Sequence, residues 1–272
     1  MPDPNSITPP QLMRLIGTPA CPALIDICLP EDFAEDPRLI PGARRASHRE
    51  LAALRQSLNG GPAIIICQKG RKLSQGVVSA LQAEGVTAEY LAGGVQAWQA
   101  SGGPLVPINA VRFDAEGQTR WITRARPKID RIACPWLIRR FVDPRARFLF
   151  VAPSEVMAAA DIFDATPFDI DGAEFSHEGD LCSFDVMLRR FGLATPALEQ
   201  MALAIRAADT NRHDLHPVAA GLLAISVGLS RQYKNDHAQL EAAIPVYDAL
   251  YRWARDGQDE GHDWLHGQNG RP

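Results

Sequence analysis

The sequence predicts an α/β domain, a parallel sheet with helices on both faces, over residues 1–107, and a mainly helical α+β domain over residues 121–256. Three observations lead there. Short apolar runs alternate with helix-spaced segments up to Pro104, the pattern of a parallel sheet under helical cover. The pattern changes near residue 108, and 108–120 reads as a linker or an extra hairpin. Beyond it, three long segments with helical spacing dominate, at 196–210, 218–231 and 238–256, and 257–272 has the composition of a flexible tail.

The elements follow in order. Thr8, with Pro9 and Pro10 behind it, opens a helix as its N-cap. Residues 22–27 form a short apolar strand ending at Cys28, and residues 40–43, with Pro41 and Gly42, make a turn. Residues 47–58 predict a helix with a capping box from Ser47 and Glu50. Asn59, Gly60, Gly61 and Pro62 break it. The apolar run 62–67 is a buried strand and 74–84 a helix, with Gln68, Lys69, Gly70, Arg71 and Lys72 between them. Residues 85–91 give a further strand, and 95–100 a helix that stops at Gly102. In the second part, Pro135 is expected to open a helix with Trp136, Leu137 and Phe141 on its apolar face. Residues 151–185 read as strand and turn. The last helix carries Leu240, Ile244, Tyr247, Leu250 and Tyr251 at helical spacing.

At 272 residues, 46% hydrophobic and 22% charged, the chain has material for two cores. Its net charge of -4 gives no reason to expect nucleic acid or a membrane as partner. The cysteines are Cys21, Cys28, Cys67, Cys134 and Cys182, an odd number without a C-x-x-C pair. That argues against a disulfide framework and a cysteine zinc site, and fits a reducing compartment. The N-terminus lacks the basic and apolar regions of a signal peptide, and the longest mostly apolar run, 218–229, is too short to span a bilayer. A cytoplasmic protein is expected.

Cys67 is the chemically informative residue. It ends a buried strand and precedes a short basic loop and a helix, so backbone N–H groups curl around it. Those groups and the nearby cations favour a thiolate and hold an anion. Phosphatase chemistry would need an arginine six positions after the cysteine, where Leu73 stands; Arg71 and Lys72 come earlier. The shorter ring of N–H donors suits a smaller group, such as the terminal sulfur of a persulfide. The expected chemistry is attack of Cys67 on sulfane sulfur, then transfer to a thiol or cyanide.

Residues 67–72 resemble the six-residue loop of the rhodanese (sulfurtransferase) family. Two flanking signatures agree: Leu24-Ile25-Asp26 followed by Ile40-Pro41-Gly42-Ala43, and Leu91-Ala92-Gly93-Gly94-Val95-Gln96-Ala97-Trp98 followed by Gly102 and Pro104. The resemblance covers about residues 6–106 and implies a rhodanese-like α/β domain with Cys67 as catalytic nucleophile at the base of a pocket. Gln68, Lys69, Gly70, Arg71 and Lys72 would bind the substrate, a small anionic sulfur donor, and no cofactor is needed. Two positions depart from the family pattern. Cys28 stands where arginine is common after the aspartate, and Lys72 closes the loop in place of arginine, keeping the charge without the bidentate fork.

Residues 120–147 carry nine basic groups against Asp130 and Asp143. Most of these arginines are expected on a solvated face or in intramolecular pairs. Lys128, Arg131, Arg139 and Arg140 are the candidates for binding an oxyanion. Further on, His177, Glu178, Asp209 and His213 are candidate ligands for a transition metal if their two segments meet. No familiar metal spacing supports them, and a histidine held by local hydrogen bonds is the commoner arrangement.

This half resembles the C-terminal domain of the ChrB chromate-resistance family over about residues 120–255. The matching stretches are 126–141, Phe175-Ser176-His177 with Cys182 to Asp185, 207–209 and 219–230. The resemblance implies a link to chromate or oxidative stress. Members with a different N-terminal segment look like chromate-responsive regulators; that segment is replaced here, so direct nucleic-acid binding is not expected. Two functions therefore stand side by side. One is a sulfurtransferase carrying sulfane sulfur on Cys67, passing it from an anionic donor to a thiol acceptor. The other is a chromate- or metal-responsive binding protein in which the first domain is a redox sensor or docking module.

Overall fold

The computed structural model describes residues 3–261. The first part runs β1 (Ser6–Ile7), α1 (Pro9–Leu15), β2 (Ala23–Asp26), α2 (Pro30–Glu35), β3 (Arg38–Leu39), β4 (Ala43–Arg45), α3 (Leu51–Leu58), β5 (Ala63–Ile66), α4 (Lys72–Ala83), β6 (Ala88–Leu91), α5 (Gly94–Ala100) and β7 (Val106–Pro107). Five strands form one parallel sheet in the order β1-β6-β5-β2-β4. Strands β3 and β7 pair antiparallel beside it.

Successive residues of β5 show why its sequence is apolar without alternation. Ile64 and Ile66 pack with Leu12 of α1 and with Val95 and Trp98 of α5. Ile65 and Cys67 pack on the other side with Leu54 and Leu58 of α3 and Val77 and Leu81 of α4. Both faces are covered, so every side chain of the central strand is buried. Thr8 caps α1 in a capping box with Gln11. The helix expected from Ser47 starts at Leu51 instead. Residues 47–50 close a turn, Glu50 N donating to Ser47 O at 3.2 Å, and the Ser47 hydroxyl accepts from Arg49 N. A serine that bonds its local backbone competes with the helix it would otherwise cap.

The second part runs β8 (Arg120–Arg124), α6 (Asp130–Leu137), β9 (Arg147–Val151), α7 (Val156–Phe163), β10 (Thr166–Pro167), α8 (Ser183–Arg190), α9 (Pro196–Asp209), α10 (Ala219–Gln232) and α11 (Asp236–Asp256). A small parallel sheet, ordered β10-β8-β9, carries the helices. The last three helices lie close to where their spacing predicts. Two differences stand out. Pro135 does not open a helix; it lies inside α6, which begins at Asp130 and continues as a wider π-type turn over Ile138–Val142. The stretch expected as strand and turn contains α7, which buries Val156 and Ala160 against Ile122. That apolar contact, invisible in a local pattern, decides for the helix.

The two parts share one core. Trp136, Phe141 and Tyr251 pack ring against ring, with centroids 5.5–5.7 Å apart, and belong to the same buried cluster as Leu12, Ile16 and Trp98 of the first part. Gly17, at φ 80°, leaves no room for a Cβ against the Phe141 and Tyr251 rings. Gly42 N donates to Phe141 O at 2.7 Å, and Arg255 donates to Arg14 O at 3.0 Å. Residues 108–120 are packed and not a loose tether: Val111 is buried, and Phe113 bridges Thr119 across a turn at Asp114–Gly117. No helix among the described residues is long and apolar enough to cross a membrane. Of the expected tail, residues 257–260 form a turn at the end of α11, with Gly257 N donating to Trp253 O at 2.9 Å and Glu260 N to Gly257 O at 3.2 Å, and residues 262–272 lie outside the described residues.

A shared core makes the two parts unfold together. Phe141→Ala should cost roughly 3–5 kcal/mol. Amides of β5 and of α9 should lose hydrogen-exchange protection by the same factor; loss confined to α9 would show two independent cores.

Candidate functional site

Cys67 directly follows β5 and is buried on the α3–α4 side of the sheet. Its thiol lies 3.2 Å from the Ser74 hydroxyl, which in turn donates to Arg71 O at 3.2 Å. Ser74 sits in the first turn of α4 and is fully buried. Among the described residues, the backbone N–H groups of Gln68, Lys69, Gly70 and Arg71 meet no protein acceptor. Lys69, Arg71 and Lys72 are exposed around them. Unpaired donors with cations at their rim have the chemistry to receive a small anion.

The loop keeps its shape because glycine lets two backbones touch. Gly94, at φ 62°, would drive a Cβ into Cys67 O and Gly70 N; Gly70, at φ 58°, would strike Leu91 O. Val95 N donates to Cys67 O at 3.1 Å, and Gln96 N to Gln68 O at 3.2 Å. The Gly93-Gly94 signature thus has a structural job: it clamps the cysteine loop from outside.

Arg45, which sequence reasoning passed over, takes a place next to this loop. It donates to Asp26 Oδ1 at 2.8 Å and to Cys28 O at 2.9 Å, and its guanidinium lies 4.0 Å from the Phe33 ring centroid. No local signal marks it: Arg45 stands opposite Asp26 only through the pairing register of β2 and β4. An open cleft of about 590 Å³ adjoins, lined by Cys28, Pro30, Arg45, Ser47, His48 and Arg49 among others. Burial raises the Asp26 carboxyl, and Arg45 opposes it. Burial also pushes the Cys28 thiol well up, with Asp26 adding to it, so Cys28 stays protonated. Its sulfur is 4.0 Å from Gln68 Oε1.

In the second part, His177 and Asp209 do meet, with Nε2 3.2 Å from Oδ2. Glu178 and His213 do not join them. Glu178 pairs with Arg189 at 2.6 Å and Arg190 at 3.2 Å, and His213 lies exposed. Glu178 bridges back to Leu181 in a tight turn, which carries its side chain away from that of His177. In their place stand Asp130, with Oδ2 3.6 Å from His177 Nε2, and Asp169, with Oδ1 at 3.5 Å. Asp130 has a trace in the sequence as one of two acids among the basic residues of 120–147; nothing local marks Asp169.

Asp130 is fully buried at the start of α6. Its Oδ2 accepts from Ser183 N at 2.6 Å, while Oδ1 is buried and has no partner. The preceding Ile129 is held at φ 36°, strained for a β-branched residue. Ser226 and Tyr247 secure it, the latter donating to Ile129 O at 3.1 Å. Asp169 accepts from Arg124 at 2.9 Å and from the Ser183 hydroxyl at 3.0 Å, with Arg131 at 3.2 Å. Burial raises the Asp130 carboxyl to about 7 against the pull of His177. Hydrogen bonds to Asp130, Asp169 and Asp209 push His177 up to about 12. Burial works to raise Asp169, yet His177 and Arg124 hold it below its ordinary value. Cys134 and Cys182, both buried, are pushed well up by burial.

The four residues expected to bind an oxyanion are not free to do so together. Arg131 serves Asp169, Arg139 pairs with Glu241 at 2.6 Å, and Arg140 binds Asp248 through two contacts of 2.8 Å. Trp136 Nε1 adds a third bond to Asp248. Lys128 is exposed. The positive charge of this stretch is matched by acids from α11 and from the loop before α8, elements far along the chain.

Comparison with known proteins gives two adjoining assignments. A family model for the rhodanese-like domain matches residues 8–101, and one for the ChrB C-terminal domain matches residues 121–254. Protein ChrB of Cupriavidus metallidurans is 40% identical over 133 residues, which is 48% of this chain and 40% of that protein. The chain therefore matches less than half the length of this curated relative. Among solved structures, a rhodanese-related protein from Thermoplasma volcanium is 23% identical over 38% of this chain and 97% of its own, with a TM-score of 0.33. A rhodanese-like domain protein from Staphylococcus aureus is 29% identical over 35% and 90%, with a TM-score of 0.30. Thiosulfate sulfurtransferase from Pseudomonas aeruginosa is 26% identical over 39% and 20%, with a TM-score of 0.32.

The Asp26–Arg45 pair predicts a pH-dependent stability change. Arg45→Met strands a buried carboxylate and should cost roughly 3 kcal/mol at neutral pH. Folding raises the Asp26 pKa, so its stabilising contribution is present at low pH and is lost as pH rises through the folded value. The variant's deficit should therefore shrink on acidification, and adding Asp26→Asn should restore most of it at neutral pH. Urea midpoints across the acid range check both; a deficit independent of pH would contradict the pairing.

Proposed function

From a chain that carries a rhodanese-like domain followed by a ChrB C-terminal domain, we infer a sulfurtransferase that holds sulfane sulfur as a persulfide on Cys67. The observation that carries the reading is the ring of unpaired N–H donors at residues 68–71 around a buried cysteine. The Cys67 thiolate attacks the outer sulfur of an anionic donor of the thiosulfate class. The donor's S–S bond breaks, and sulfite leaves with the bonding electrons. The new persulfide lies in the ring, where the N–H groups stabilise the charge on its terminal sulfur. An acceptor thiolate or cyanide then attacks that sulfur, takes it, and returns Cys67 as thiolate.

Lys69, Arg71 and Lys72, exposed at the rim, draw in the anionic donor. Ser74 holds the sulfur in line from the first turn of α4. Arg45 and Asp26 hold the neighbouring wall, and Cys28, kept as a thiol, does not compete as nucleophile. The ChrB C-terminal domain ties this activity to chromate resistance or oxidative stress, conditions in which an oxidant consumes cellular thiols.

Incubation with thiosulfate should add one sulfur atom to the intact mass, mapped to Cys67, and Cys67→Ser should remove both this and thiosulfate:cyanide transfer. Arg71→Ala should lower kcat/KM by roughly ten- to a hundredfold, the loss of one charge-assisted contact. Equal transfer by wild type and Cys67→Ser would end this reading.

A further inference from the structure

We propose that Asp130, His177 and Asp209 form a site for one divalent first-row transition-metal ion. This goes beyond sulfur transfer and uses none of its residues. The three side chains come from the start of α6, the loop before α8 and the end of α9. One donor atom from each lies within 4.8 Å of the others. Donors held about 2.0–2.2 Å from a common ion stand roughly 2.8–3.6 Å apart in tetrahedral or octahedral arrays. His177 Nε2 is 3.2 Å from Asp209 Oδ2 and 3.6 Å from Asp130 Oδ2.

The independent sign is Asp130. It is completely buried; its Oδ2 lies 3.6 Å from His177 Nε2 and accepts from Ser183 N, while the other oxygen of the same carboxyl, Oδ1, is buried with no hydrogen-bond partner. A buried carboxylate oxygen without a partner is costly, and a cation answers it. Asp209 points the same way. It is the last residue of α9, at the negative end of the helix dipole and beside other carboxylates, so nothing in the helix itself favours it there.

Asp169 is left out because its oxygens already serve Arg124, Arg131 and Ser183. Two carboxylates and a neutral imidazole balance a divalent ion, and Asp169 balances part of the two arginines. The ion and the His177 proton compete for the same carboxylates. One nitrogen and two oxygen donors suit Mn²⁺, Fe²⁺, Co²⁺, Ni²⁺ or Zn²⁺. The His177 side chain is 40% exposed and that of Asp209 19% exposed, which gives the ion an entry path and leaves coordination positions open to water or an oxyanion.

Full-length protein, stripped with chelator and dialysed, is titrated with Co²⁺ and with Zn²⁺ by calorimetry, and the Co²⁺ absorption bands are recorded. One equivalent should bind. Asp209→Asn and His177→Gln should each weaken binding by at least about tenfold, with His177→Gln shifting the Co²⁺ bands. Glu178→Gln and His213→Gln should bind within about twofold of wild type. Far-UV circular dichroism confirms that each variant is folded, and Asp130, whose loss endangers the fold, is left intact. No stoichiometric binding overturns the proposal, as does equal weakening in all four variants or none in the first two.

Discussion

A parallel sheet buried on both faces needs apolar cover on each side, and the chain supplies it from two different sources. On the α3–α4 face the cover is local in sequence. On the α1–α5 face the cluster runs on without a break into Phe141, Trp136 and Tyr251 of the second half. The rest follows from this. Residues 108–120 must pack, Gly17 must lack a side chain, and α11 must return to the first domain to place Tyr251 and Arg255.

The same sheet decides where the Cys67 sulfur goes. Strand β5 is central, so its C-terminal end opens where neighbouring loops converge. Cys67 falls on the α3–α4 face, away from the shared core, and Gly93-Gly94 presses on its loop from the β6–α5 turn. The loop's backbone is shaped by what touches it from outside, and among the described residues the N–H groups of residues 68–71 meet no protein acceptor.

Charge follows a different logic in the two halves. Around Cys67 the cations stay at the surface. In the second half the arginines are drawn inward to buried or half-buried acids: Arg140 to Asp248, Arg131 and Arg124 to Asp169, Arg206 to Asp185. Those pairs position α6, α8, α9 and α11 about one acidic centre. Removing either partner would leave a charge without its counter-charge, which is how such pairs fix an arrangement even where they add little stability. What is left over are the carboxyl groups of Asp130 and Asp209, both close to the one imidazole of His177.

The sequence by itself determined the α/β half, the place of Cys67 between a buried strand and a helix, and the three long helices of the second half. Each is a local matter: apolar period, a glycine pair, a capping threonine. It misread Ser47, Pro135 and the α7 segment, where a turn or a distant apolar contact overrode the local pattern. It found His177 and Asp209 but joined them to Glu178 and His213. Only the tertiary structure brought Asp130 and Asp169 to them and set Arg45 against Asp26. Periodicity reports which face a side chain occupies; it carries no record of which buried charges, far apart along the chain, must find one another to leave water.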